Sequence, residues 1–239
     1  MNILMTCLLA AMTSSEAIVT ILNTASATGP RRFAEAKELV EEEARAGKPV
    51  QQFIVGVTTD DKALAERYLA ASRPRIKALA ETKDNPLAWY LLSLEKNDVD
   101  ALRKAADGGN VQAMNALGSI VIQQVVDSKD LSTNAVERLF RRGFSYFGRA
   151  AAMRDPNGFI NLGTCYQRGY GCKPDLQLAF ECFRSAAELG HPEGMDYMSA
   201  CYQFGHGVSP DNEKSLYWKM RGRCARGDKA AEKWLRERK

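Results

Sequence analysis

Two histidines and six cysteines are the side chains of this chain with the greatest capacity for metal binding or nucleophilic chemistry. The cysteines are Cys7, Cys165, Cys172, Cys182, Cys201 and Cys224. They form no Cys-x-x-Cys pair, and neither His191 nor His206 has a cysteine or histidine at metal-ligand spacing. Each histidine directly follows a glycine, which is typical of a turn. We therefore predict no metal site.

The sequence does not indicate an enzyme either. A Cys–His nucleophile needs a helix N-terminus or a nearby cation to lower the thiol pKa, and the sequence provides no cysteine with such a setting. The elements Gly169-Tyr170-Gly171 and Gly205-His206-Gly207 are not phosphate-binding loops, because no predicted strand precedes them and no Gly-Lys-Ser/Thr follows. We predict no catalytic residue, no cofactor-binding residue and no cofactor.

The two Gly-x-Gly elements belong to a repeat with a period of 36 residues. The recurring residues are Tyr166, Gly169, Gly171, Pro174 and Asp175, with their counterparts Tyr202, Gly205, Gly207, Pro210 and Asp211. A fixed period of this size is typical of helical arrays in which each unit buries its apolar face against the next. We expect pairs of helices, with the Gly-x-Gly element as the turn inside each pair and the Pro-Asp element in the first turn of the second helix.

A further glycine, Gly190, marks the turn between one hairpin and the next. Gly109 and Arg154 are the equivalent origins of the two preceding repeats. Counted from the origin of each repeat, small residues recur at position four, large apolar residues at position eight and small residues at position nine. They are Ala113, Gly158 and Gly194; Leu117, Leu162 and Met198; and Gly118, Gly163 and Ser199. These positions share one helix face, so the small residues should let neighbouring helices approach closely. Cys165 and Cys201 fall on the same apolar face, where we expect buried free thiols.

The run Leu162-Gly163-x-x-Tyr166-x-x-Gly169-x-Gly171, followed by Pro174-Asp175, Ala179, Ala186-Ala187 and Gly190, resembles the Sel-one-like repeat. This family is related to the tetratricopeptide repeat, and two units between about residues 150 and 226 carry the resemblance. It implies an all-α fold, a right-handed α/α superhelix (solenoid) of helical hairpins. It also implies that the concave face built from the first helices is the usual binding surface.

Weaker copies of the frame predict further hairpins on both sides. The weaker copies have origins at Gly47, Asp84 and Gly109, whereas Arg154 is the origin of the first well-matched unit. A final helix follows Gly227, which lies one residue beyond the expected origin. The long spacing of 45 residues after Gly109 predicts an insertion between Ile120 and Asn134. We expect about six hairpins in three parts, which are an N-terminal helical segment (1–30), degenerate repeats (31–104) and Sel-one-like repeats with a C-terminal capping helix (105–239).

The first helices carry a polar stripe at positions three, seven, ten and fourteen, about 115° from the centre of the apolar face. The candidate binding residues on this stripe are Gln112, Asn157, Asn161, Thr164, Arg168, Glu193, Tyr197 and Phe204. Amide, charged and aromatic side chains in one row suit hydrogen bonding to an extended peptide. Solvent exposure of a helix would explain any one of them equally well, and only the whole row favours binding.

The N-terminus has two interpretations. Ile3–Met12 is an apolar run of signal-peptide length, and Ala25–Ala27 is similar to a cleavage site. However, no Lys or Arg precedes the run, and apolar residues continue at helical spacing through Leu22, as in a packed helix. A cytoplasmic and an exported protein both remain open, and no run is long enough for a membrane-spanning helix.

Composition limits the class of partner. The chain is 45% hydrophobic and 26% charged, with a net charge of +4. Because basic and acidic residues alternate along most of it, we predict no nucleic-acid partner. Basic residues dominate only Lys214–Lys239, which predicts either a solvated terminal helix face or a contact site for an acidic partner.

These observations favour a non-enzymatic scaffold or adaptor that binds a protein or peptide partner through its concave face. The first alternative is an exported protein that acts at the cell envelope or on a host molecule. The resemblance allows this, because the family includes secreted members whose paired cysteines connect the helices of each repeat, although this chain lacks such regular pairing. The second alternative is an enzyme with a site in the 120–134 insertion.

Overall fold

The computed structural model describes residues 30–96, 98–128 and 130–238. Within these residues the protein is all-α, with twelve helices and no strand, and each helix packs mainly against its neighbours in the chain. The helices form two compact units, one ending at Asn110 and one beginning at Val111. The apolar run Ile3–Met12 and the cleavage-like Ala25–Ala27 lie outside the described residues.

The first unit contains five helices. They are α1 (Pro30–Arg45), α2 (Pro49–Thr58), α3 (Lys62–Lys83), α4 (Pro86–Lys96) and α5 (Val99–Asp107). The side chains of Phe53, Ile54, Ile76 and Leu91 are completely buried in its core. Burial of these apolar side chains provides the main driving force for packing these short helices together.

The second unit contains seven helices. They are α6 (Val111–Asp127), α7 (Thr133–Ala152), α8 (Pro156–Arg168), α9 (Leu176–Glu188), α10 (Pro192–Phe204), α11 (Asn212–Ala225) and α12 (Lys229–Arg236). The pairs α6/α7, α8/α9 and α10/α11 are hairpins in which the two helices pack closely, and α12 packs on α11. The solenoid arrangement of helical hairpins predicted for this region is confirmed.

Every predicted repeat origin has a left-handed backbone conformation, and so has Gly227, one residue beyond the last expected origin. Gly47, Asp84, Gly109, Arg154, Gly190 and Gly227 all have positive φ values, from 44° at Asp84 to 100° at Gly109. Glycine adopts this conformation without steric cost, whereas Asp84 and Arg154 adopt it against the usual preference of L-residues. The repeat frame read from the sequence therefore coincides with the turns of the chain.

The turns inside the α8/α9 and α10/α11 hairpins have the predicted glycine chemistry. Gly169 ends α8 at φ 74°, and its N–H donates to the Cys165 carbonyl at 2.8 Å. Gly171 has φ 75°, and a methyl group added there would lie 2.5 Å from the Phe140 carbonyl oxygen. The position of Asp175 differs slightly from the prediction. It precedes α9 as the N-cap residue and accepts hydrogen bonds from the Gln177 and Leu178 N–H groups, because its short carboxylate reaches these otherwise unpaired donors.

The predicted insertion lengthens two helices instead of forming a long loop. α6 has 17 residues and α7 has 20, whereas α8 and α9 have 13 each. The connection between α6 and α7 is short because these extra turns continue the helical hydrogen bonding. The described residues contain five complete hairpins, with α1 before and α12 after them, compared with about six expected.

Small residues bring the helices of the second unit together as predicted. A methyl group added at Gly163 would lie 2.7 Å from the Phe183 ring, and one at Gly194 would lie 2.8 Å from the Ala186 methyl carbon. Cys165 and Cys201 are buried free thiols, also as predicted. Close packing of this kind requires glycine, since any side chain would force the helices apart.

Candidate functional site

The eight candidate residues lie on α6, α8 and α10, which are the first helices of three successive hairpins. α6 contacts α8, and α8 contacts α10. We call the surface that carries the candidate residues the first-helix face. Its members are Gln112 on α6; Asn157, Asn161, Thr164 and Arg168 on α8; and Glu193, Tyr197 and Phe204 on α10. They therefore belong to a continuous set of helices within one unit.

A hydrogen-bond chain links α6 to α8 across this face. The Asn161 side-chain amide donates to the Asn115 oxygen at 3.4 Å, and the Asn115 amide donates to an Asp155 carboxylate oxygen at 2.7 Å. The same Asp155 oxygen accepts from the Gly158 N–H at 2.7 Å, so this buried aspartate also caps α8. Asn161 thus takes part in the packing between hairpins.

The pKa of Asp155 reflects two opposing effects. Burial raises it above the ordinary value, because a charged carboxylate is poorly solvated there. Hydrogen bonds from the Gly158 N–H, the Asn115 amide and the Asn157 N–H lower it, because they stabilise the charged form. Burial has the larger effect, so the pKa of Asp155 is raised. The donors that oppose this shift come from both α6 and α8.

Two other candidates are also engaged within the protein. The Thr164 hydroxyl donates to the Ile160 carbonyl at 3.0 Å, one turn earlier in α8. The Tyr197 ring stacks on the Phe183 ring of α9, with centroids 4.3 Å apart and planes at 5°. Tyr197 is half-buried against the core, so its ring stabilises the contact between successive hairpins.

The remaining candidates have more exposed side chains or lie at helix ends. Arg168 and Glu193 are exposed, at the last turn of α8 and the first turn of α10. Phe204 ends α10 and is 62% exposed, with its ring 5.8 Å from the His206 ring. Gln112 and Asn157 are half-buried in the first turns of their helices. The surface therefore offers charged groups and one exposed aromatic ring.

Asn115 and Asp155 were not among the candidate residues predicted from the sequence. Asp155 takes position one of the repeat frame, which Asp228 also takes at the start of α12, where it caps the Ala230 and Ala231 N–H groups. That recurrence was a usable signal for a capping role. Asn115 had none, because the residue at its position in the next repeat is Ile160.

His191 occupies the same capping position at the start of α10 but makes no cap hydrogen bond. It is 4% exposed, and neither ring nitrogen has a hydrogen-bond partner. Burial, with a smaller contribution from the Arg226 cation, lowers its pKa to about 4, and Asp196 opposes this shift. Arg226 and Asp196 form an ion pair beside it. This histidine is therefore neutral near pH 7.

The thiols are poorly suited to nucleophilic chemistry. Burial raises the pKa of Cys165 to about 12 and the pKa values of Cys182 and Cys201 to about 11. The five cysteines within the described residues are free, and Cys7 lies outside them. Across residues 30–96, 98–128 and 130–238, no group of three or more His, Cys, Asp or Glu side chains could hold a metal ion. None of the helices described is both long and apolar enough to cross a membrane.

Comparisons with known proteins agree with this architecture. The Sel1 repeat family model matches residues 131–155, 160–191 and 192–218. No curated protein matches the chain. A Sel1 repeat protein from Oxalobacter formigenes is 22% identical, with a TM-score of 0.46 over 54% of this chain and 92% of that one.

A second solved structure covers most of the chain. It is a protective antigen present in uropathogenic Escherichia coli strains, described as displaying an SLR fold. It is 20% identical with a TM-score of 0.52, and the match covers 92% of this chain but only 48% of the antigen. At this identity the likeness shows the fold alone. The matched stretches follow the helices from α7 to α11, so the Sel1 repeats recognised in this chain lie between residues 131 and 218.

Proposed function

We propose that this protein is a non-enzymatic scaffold or adaptor that binds a protein or peptide through the first-helix face. Sel1 repeats commonly mediate protein–protein interactions. The observation that supports this use most directly is the 62% exposure of Phe204 on that face. A large aromatic ring held open to solvent at the end of a rigid helix is a suitable anchor for a partner.

The chemistry around Phe204 suits a peptide of mixed character. Arg168 and Glu193 offer one positive and one negative charge, and the half-buried Gln112 and Asn157 carry amide groups. Charged groups at the rim of an interface mainly affect association rate and specificity, whereas an aromatic anchor contributes more of the affinity. We therefore expect binding that weakens with added salt but depends chiefly on Phe204.

The decisive experiment compares two double variants, each of which removes one arginine and one exposed large apolar side chain. In Arg168→Ala/Phe204→Ala both changes are on the first-helix face. In Arg184→Ala/Leu178→Ala, the control, both changes are at exposed positions of α9, a second helix. A partner is first isolated with the wild-type protein, then purified, and its affinity for each variant is measured by titration calorimetry.

We expect the face variant to bind at least ten-fold more weakly, which corresponds to about 1.4 kcal/mol, and the control to bind like the wild type. Asn161 is not used, because it bonds to Asn115 and its loss would also affect packing. Equal affinity of the two double variants would contradict the proposal. Circular dichroism of both variants checks that helicity is retained.

The two alternatives predict different observations. An exported protein with connected helices requires disulfides, whereas the cysteines of the described residues are free. Counting thiols in the protein purified from its native compartment and sequencing its mature N-terminus tests this alternative. An enzyme in the 120–134 region would have to use the end of α6, the connection after it and the start of α7, where Asp127, Ser128, Asp130 and Leu131 line a shallow open depression.

A further inference from the structure

A groove of about 390 Å³ lies between α10 and α11, the last hairpin of the second unit. We call it the terminal groove and define it by its lining residues, Asp196, Ser199, Ala200, Gln203, Asn212, Ser215, Leu216 and Lys219. Ala200 lies at position ten, the position that Thr164 takes on the first-helix face, so the groove borders that face along α10. Its apolar floor is formed by Leu216, which is 40% exposed.

In the two preceding hairpins the corresponding surface is covered by an aromatic ring from the next first helix. The Tyr166 ring meets the Phe144 ring edge-on at 5.4 Å, and the Tyr202 ring meets the Phe180 ring edge-on at 5.7 Å. Leu216 is the repeat equivalent of Phe180, which is only 8% exposed. α12 packs on α11 but leaves Leu216 open. The terminal groove therefore has the shape of an aromatic subsite with its floor uncovered.

The walls of this groove differ from those of the earlier hairpins in a way that adds positive charge. Lys219 is the repeat equivalent of Phe183 and Phe147, against which Gly163 and Gly118 pack. Ser199 and Ser215 replace the small apolar residues, and their hydroxyls hydrogen-bond to each other at 3.1 Å. Asp196 is already paired with Arg226. Within the part of the chain that the structure describes, Lys219 has no carboxylate partner.

The surrounding charge has the same sign. Residues 214–239 contain ten Lys and Arg but only three Asp and Glu. The three acidic residues, Asp228, Glu232 and Glu237, each pair with a basic residue of the same segment. The uncompensated charge is therefore positive, which attracts an acidic segment and repels a basic one.

We propose that the terminal groove binds an acidic segment of a partner protein that carries an aromatic residue. The aromatic ring packs on Leu216, and a neighbouring carboxylate pairs with the Lys219 ammonium group. This inference deepens the proposed function and rests on it, since the groove borders the same binding face. It assigns a chemical class to part of the partner.

The test uses three fluorescein-labelled peptides of sequence EEYEE, EEAEE and KKYKK with the full chain at low ionic strength. Fluorescence anisotropy measures the affinity of each peptide for the wild type and for Lys219→Glu, Lys219→Gln and Leu216→Ala. The matched control is Lys229→Glu, which makes the same charge change at an exposed residue of α12 outside the groove. Lys219→Gln keeps the test valid if the charge reversal impairs folding.

We expect EEYEE to bind saturably and at least ten-fold more tightly than EEAEE or KKYKK. Lys219→Glu should weaken its binding at least ten-fold, Lys219→Gln and Leu216→Ala about three-fold each, and Lys229→Glu less than two-fold. Three results would overturn the inference, namely equal losses in Lys219→Glu and Lys229→Glu, equal binding of EEAEE, or no saturable binding of EEYEE.

The terminal-groove proposal and the scaffold proposal would be contradicted by different results. If a purified partner depends on Phe204 and Arg168 but is unaffected by Lys219→Glu and does not compete with EEYEE, the terminal groove is not used while the scaffold function stands. If the partner is insensitive to the Phe204 and Arg168 changes, the first-helix face itself is wrong. Measuring both variants with the same partner therefore separates the two conclusions.

Discussion

Replacing His191 with asparagine should remove much of the loss of stability that the second unit undergoes in mild acid. His191 is 4% exposed and has no hydrogen-bond partner on either ring nitrogen. Asparagine can accept a hydrogen bond at the start of α10, as Asp155 does at the start of α8, without introducing a titrating group. The variant therefore changes one buried ionisation and one helix cap.

The magnitude follows from the shifted pKa. In the unfolded chain His191 titrates near 6.5, and in the folded protein burial and Arg226 lower its pKa to about 4. The folded state thus binds fewer protons between these values, so the free energy of unfolding falls as the pH decreases from about 6.5 towards about 4. Between pH 7 and pH 5 this histidine alone accounts for a loss of about 2 kcal/mol.

The assay is urea unfolding at pH 7 and pH 5, followed by tryptophan fluorescence. Two of the three tryptophans, Trp218 and Trp234, lie in the last two helices, so the signal reports mainly on the region around His191. We expect His191→Asn to be more stable than the wild type by about 1 kcal/mol at pH 7 and by about 3 kcal/mol at pH 5. His206→Asn, at a half-buried loop residue, is the control and should keep the wild-type difference. An unchanged pH difference in His191→Asn would show that ionisation of His191 does not cause the loss of stability in acid.

Two further predictions concern packing, and urea unfolding measures both. Asp155→Ala should destabilise the protein by about 2–3 kcal/mol, because it removes the α8 cap and leaves the Asn115 amide without its acceptor. A change in the free energy of unfolding below about 0.5 kcal/mol would contradict this prediction. Gly171→Ala should cost more than about 3 kcal/mol and Gly190→Ala only about 1 kcal/mol. Both glycines have positive φ, but an added methyl group meets the Phe140 carbonyl only at Gly171, so equal costs would show that the contact is unimportant.

Much of the fold could be predicted from the sequence, because local rules decide it. A helix buries the residues that share one face at 3.6 residues per turn, and a left-handed turn favours glycine. These rules placed the origins at Gly109 and Gly190 and even at Asp84 and Arg154, where the residue type gave no hint but the spacing did. They also placed the candidate residues on three first helices. Whether those residues bind a partner stays a prediction.

The structure decided what each side chain on those helices contacts. Asn161 bonds to Asn115, 46 residues earlier, and Tyr197 stacks on Phe183 of the preceding helix. Both interactions depend on the lateral position of one hairpin on another, which helical periodicity does not specify. Phe204, in contrast, stays exposed at the end of α10.

The helices, their turns and the repeat frame could be predicted from the sequence alone, because these features depend on interactions over a few residues. Only the tertiary structure showed that His191 is buried without a partner and that Leu216 is left open beside Lys219. Burial and exposure at these positions depend on where α10, α11 and α12 lie against one another. That arrangement results from packing of all their side chains together.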